Sequence, residues 1–139
     1  MPPTAQRSAG RRRLTVVVIA VATVIAGLLL HRFASGVIGD VTGDALYALL
    51  VYLLIVLMLP RRTRSLCAAL AILFCTAVEF LQLTDIPAKA TALVPPAALV
   101  LGAGFDQRDL LVYAFAVVGA MLLDVLISRL LRRRALRTP

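Results

Sequence analysis

A chain of 139 residues, 61% hydrophobic and 16% charged with a net charge of +8, carries more apolar surface than a water-soluble domain of that size can bury. Lipid is the solvent that suits most of it, in keeping with a mean hydropathy of +0.95. The basic excess, 15 Lys and Arg against 7 Asp and Glu, lies in arginine clusters that each abut an apolar run, which argues against nucleic acid and for anionic lipid headgroups.

In chain order, residues 1–13 are rich in Pro, Arg and Ser and read as a disordered basic cytoplasmic tail. The apolar run 14–30 follows, extended to a first span over about 14–33. It resembles a signal peptide in having a basic start, but it is long for one, and His31-Arg32-Phe33-Ala34 offers no small-x-small cleavage site. The second run, 45–59, falls short of the roughly 20 residues that cross a bilayer. Starting it near Val37 gives a span over 37–59 and places Asp40 and Asp44 in its outer turns. Gly36, Gly39 and Gly43 then predict the close approach of a neighbouring helix, since Gly39 and Gly43 have small-xxx-small spacing.

The third span covers about 65–83 and ends in Val78-Glu79-Phe80-Leu81-Gln82-Leu83. Its Cys67 and Cys75 match no metal or redox spacing and read as small hydrophobes. Beyond it, Pro95-Pro96 interrupts an apolar stretch that Gly102 and Gly104 then close, so a continuous fifth span is not expected. Segment 86–104 reads instead as short helical pieces, re-entrant in the outer half of the membrane or lying on its surface. A fourth span over 109–131 and a basic tail at 132–139 complete the chain.

The fold class that follows is an all-α membrane protein, a bundle of four transmembrane helices in a single domain, 14–131. With the N-terminus inside, cytoplasmic segments hold twelve Lys and Arg, and the outer loops hold only Arg32, Lys89 and Arg108. That bias predicts an N-in, C-in protein of the bacterial inner membrane, its arginines on anionic headgroups.

Six of the seven acids then share the outer end: Asp40, Asp44, Glu79, Asp85, Asp106 and Asp109. The seventh, Asp124, lies toward the inner end with Ser128 at i+4, where a salt bridge to Arg61, Arg62 or Arg129 is expected. Glu79 sits about 20 Å above the inner end by helix rise, and a carboxylate facing lipid there would cost about 2–3 kcal/mol, so it should face the bundle interior. Gln82 shares its face. Asp109 with Tyr113, and Asp44 with Tyr47, form further polar stripes at the same level.

Together these predict an outward-opening polar pocket between spans two, three and four, floored by Glu79 and Gln82. The candidate binding residues are Glu79, Gln82, Asp106, Asp109, Tyr113, Asp44, Asp40, Arg32 and Arg108. The plainer alternative pairs Glu79 with Arg32, Lys89 or Arg108 as a buried ion pair and uses Gln82 to cap loose loop backbone. Signatures such as G-x-S-x-G or H-E-x-x-H are missing, so no catalytic residue, metal ligand or cofactor is assigned.

The order Glu79-Phe80-Leu81-Gln82, a loop, then Gly104-Phe105-Asp106-Gln107-Arg108-Asp109 through Tyr113 and Gly119 resembles the E-x-x-Q, D-x-x-D pattern of VanZ-like membrane proteins. The stretch from Gly39 to Ala48, with Pro60-Arg61, looks closer still to a related domain-of-unknown-function family of small bacterial membrane proteins. The likeness covers roughly residues 30 to 125. It implies four inner-membrane spans, with Glu79, Gln82, Asp106 and Asp109 as the signature polar residues. VanZ-like proteins are linked to low-level glycopeptide resistance; this chain departs from them with Tyr113 in place of Asn and Lys89 in place of Arg.

Two readings of different class follow. In the first, the pocket binds a polar or lipid-linked cell-envelope component, with Arg32, Lys89 or Arg108 meeting an anionic headgroup. In the second, the polar stripes pack against a partner in a larger membrane complex or an oligomer. An intramembrane enzyme built on the acids and His31 is the least supported.

Overall fold

A computed structural model describes residues 3–33, 36–102 and 104–135, all of whose regular structure is helical. The elements are α1 (Pro3–Phe33), α2 (Gly36–Met58), α3 (Arg64–Leu81), α4 (Ile86–Leu93), a 3-10 turn (Pro95–Ala97), α5 (Ala98–Leu101) and α6 (Gln107–Ala135). Four stretches are long and apolar enough to cross a membrane: Arg13–Phe33, Gly36–Met58, Arg64–Leu81 and Gln107–Arg129.

One expected tail differs. Residues 3–13 continue α1 rather than forming a disordered segment. Alanines, a glutamine and arginines propagate a helix well, and Pro3 stands at its first position, where a missing N–H costs nothing. At the other end α6 runs to Ala135, beyond the expected limit of 131, while residues 136–139 lie outside the described residues.

α2 is the central helix. It packs against α1, α3 and α6; α3 also packs on α6, whereas α1 lies chiefly along α2. The core joins Ala48, Val51, Tyr52, Leu53 and Val56 of α2 to a seam of small α3 residues and to Tyr113 and Val117 of α6. In that seam Cys67, Ala71 and Cys75 recur every fourth position, each no more than 2% exposed, so the α3 backbone comes close to its neighbours. Both cysteines are free thiols. Large side chains such as Leu73, Phe115 and Leu122 point outward. That is unfavourable in water and neutral against acyl chains.

The two ends of the bundle differ in chemistry. At the arginine-rich end, Pro60 prevents α2 from continuing, and Thr63 caps α3 by accepting from the Leu66 N–H at 3.4 Å. Asp124 of α6 is engaged there by Arg64, which the sequence reading did not name among its partners. Arg64 Nε lies 2.6 Å from Asp124 Oδ2, and Arg64 Nη2 donates to Ser128 Oγ at 2.7 Å. Arg64 begins α3 and so projects toward α6, while Arg61 and Arg62 sit in the exposed turn. Arg64→Ala removes both of these polar links between α3 and α6 at this end of the bundle. With both side chains about 30% exposed, the expected cost is about 1–2 kcal/mol. Thermal unfolding in detergent measures it, and an unchanged midpoint would show that the clamp contributes nothing.

At the acidic end the chain between α3 and α6 folds into a compact hairpin of α4, the 3-10 turn and α5, with α5 resting on α3. Pro87 is buried, Pro95 opens the 3-10 turn, and Gly102 ends α5 with φ 68° and ψ −173°.

Candidate functional site

Glu79 answers first, because its side chain is 0% exposed. Its Oε1 accepts from the Asp106 N–H at 2.7 Å, and its Oε2 accepts from the Tyr113 hydroxyl at 3.1 Å. Among the described residues it makes no ion pair. A backbone amide and a phenol stabilise the buried carboxylate in place of Arg32, Lys89 or Arg108. Two more contacts follow along the same stretch of α3. Phe80 stacks on Phe105 with centroids 6.0 Å apart, and a Cβ added at Gly102 would come within 2.5 Å of Gln82 Nε2. Residues 79 and 80 thus hold residues 106 and 105, and Gln82 lies close against Gly102, which fixes the register of the hairpin's returning segment against α3.

The latch also sets the first turn of α6. Asp106 Oδ1 accepts from the Arg108 N–H at 2.8 Å, satisfying one of the amides that a helix start leaves free. The Arg108 guanidinium turns back to Asp106 Oδ2 at 3.3 Å and lies 3.8 Å from Asp109 Oδ1. Asp44 of α2 lies beside Asp109. One turn deeper, the rings of Tyr47 and Tyr113 stand 6.1 Å apart at 58°.

These groups surround a cavity of about 680 Å³, bounded by α1, α2, the end of α3, α5 and the start of α6. Asp40, Asp44, Gln82, Asp106, Arg108, Asp109 and Tyr113 line it, together with Tyr47 and His31. Two expected site residues do not. Glu79 is sealed behind the wall instead of forming the floor, since both its oxygens are turned to Asp106 and Tyr113. Arg32 is exposed and absent from the lining. The rest of the lining is largely apolar, with Val24 and Leu28 of α1, Leu46 and Leu50 of α2, and Leu99 and Val100 of the hairpin.

Sequence reasoning missed α1 as a wall and misread Gly43. Five of the eight glycines, Gly27, Gly39, Gly43, Gly102 and Gly104, line the cavity, so much of its space is side chain that the sequence omits. A Cβ at Gly27 or Gly43 would meet nothing within 4 Å, which places Gly43 on an open wall and not in a helix seam. Clustering of glycines at the level of the acids was the available signal. Four buried polar atoms on lining residues, Tyr47 Oη, Gln82 Oε1, Arg108 Nε and Asp109 Oδ1, have no hydrogen-bond partner, and the last two face each other at 3.8 Å.

Four membrane-length helices around a polar cavity at the acidic end define an all-helical membrane protein with a candidate binding site. Residues 33–120 match the family described as protein of unknown function DUF2809, and the chain belongs to that family. The matched region holds the cavity walls from α2 to α6 and leaves those of α1 outside it. No curated protein and no solved structure matches the chain.

Proposed function

We propose that the protein binds an amphiphilic component of the cell envelope in this cavity, as a four-span protein of the bacterial inner membrane with both termini cytoplasmic. The observation that carries the reading is the cavity's mixed lining, acidic and aromatic side chains from α2 and α6 beside mostly apolar ones from α1 and α5, at a volume within the range of roughly 300–1,000 Å³ typical of small-molecule sites. Orientation draws support from the arginine bias, and a fluorescent reporter fused at either terminus reads it directly. In that orientation the cavity opens toward the outer leaflet, and the α4–α5 hairpin dips into it or lies on it as a cover. The motif likeness to VanZ-like proteins agrees with an envelope role.

The binding reading is tested by native mass spectrometry of the protein extracted in lipid particles, wild type beside Gly43→Leu. Leucine at 43 would grow into open space from a helical position, so the variant should fold as well as the parent while filling the cavity. A distinct amphiphile carried by wild type and lost from the variant is the expected result. The same bulk phospholipids on both would overturn it, and a stoichiometric partner protein on both would favour an accessory-subunit role.

A further inference from the structure

Resting on that binding reading, we infer that the ligand's head is an organic cation, an ammonium group carried on an apolar chain. Four acids line the cavity, Asp40, Asp44, Asp106 and Asp109, against a single arginine. Arg108 is already turned to Asp106 and Asp109, and neither Asp40 nor Asp44 has an ion pair among the described residues. Asp44 and Asp109 both line the cavity, and a cation set between them would be attracted by each. A phosphate or carboxylate head would instead add negative charge to the same space. The envelope component expected to meet Arg32, Lys89 or Arg108 as an anion is therefore the wrong sign for the site.

Independent observations on the neutral groups point the same way. Tyr47 Oη and Gln82 Oε1 are buried without partners and both can accept hydrogen bonds, whereas the unpartnered Asp109 Oδ1 and Arg108 Nε face each other at 3.8 Å. An ammonium brings up to three donors and no acceptor. Tyr47 of α2 and Tyr113 of α6, with rings 6.1 Å apart, both line the cavity, and aromatic rings attract such a group. A bare metal ion is a poorer fit, because no three acidic, imidazole or thiol groups among the described residues converge closely enough to hold one. Leu28, Leu46, Leu50 and Leu99 take the tail.

The test uses the full chain in neutral maltoside micelles, titrated with hexadecylamine, hexadecyl phosphate and hexadecanol and read by native mass spectrometry. Hexadecylamine should bind at least about tenfold tighter than either of the others, and Asp44→Asn and Asp109→Asn should each weaken it by about tenfold. Asp85→Asn, on an exposed acid outside the cavity lining, should leave it unchanged, which separates a built site from general attraction to an acidic surface. A thermal melt of each variant establishes that it is folded. Equal binding of amine and phosphate, or an Asp85→Asn effect as large as that of Asp44→Asn, overturns the inference. Hexadecanol binding as well as the amine would remove the cationic head and leave the binding reading standing; retention of none of the three would remove both.

Discussion

Glu79→Ala should destabilise the folded protein by about 3–5 kcal/mol, the largest effect expected of any single change at the cavity. The variant leaves the Asp106 N–H and the buried Tyr113 hydroxyl without their acceptor, and it opens a void where a side chain is now 0% exposed. The consequence reaches beyond α3, because Asp106 starts α6 and carries Arg108 with it. Glu79→Gln should cost far less, about 1–2 kcal/mol. Its amide oxygen can still accept from the Asp106 N–H, while its NH2 can donate to the Tyr113 oxygen. Thermal unfolding in detergent gives the order, and limited proteolysis over residues 102–106 reports whether the hairpin has come loose. An alanine variant as stable as wild type, with that segment still protected, would mean that the carboxylate does not hold the hairpin.

How much of this was legible beforehand divides by the kind of signal each residue gives. The four spans were readable because bilayer thickness translates directly into a count of apolar residues. The inward placement of Glu79 was readable for a related reason, since lipid penalises a charge at that depth whatever its partner. The partner itself was not. One of its two donors is a backbone N–H, which every residue but proline carries, so no residue type marks Asp106 as the acceptor's mate. Arg64 was passed over for Asp124 in favour of Arg61, Arg62 and Arg129 because sequence gives the level of a side chain in the bundle more readily than its direction. The small-xxx-small spacing of Gly39 and Gly43 was ambiguous in principle: missing side chains allow either a close helix or an empty space, and only the position of α1 decides between them. The close seam is made instead by Cys67, Ala71 and Cys75.

Two glycines of the same cavity should respond to alanine with opposite signs, and the contrast tests what each is for. Gly102 has φ 68° and ψ −173°, a region that residues with a Cβ rarely enter, so Gly102→Ala should cost about 2–3 kcal/mol. A second contribution comes from the new Cβ, 2.5 Å from Gln82 Nε2. That clash is with the far end of a flexible side chain, which can swing aside, so backbone strain should dominate. The double variant Gly102→Ala with Gln82→Ala separates the two: it should recover little of the loss if strain is the cause and most of it if the clash is. Gly43 lies inside α2 with nothing within 4 Å of its Cβ position, and Gly43→Ala should stabilise the protein by about 0.5–1 kcal/mol through helix propensity alone. Melting temperatures of the two alanine variants and the double variant decide the matter. A gain at 43 beside a loss at 102 would mean that one glycine permits a backbone conformation while the other only leaves room. A loss at 43 would instead put another helix against that face, and the space assigned to the ligand would be smaller than the cavity described.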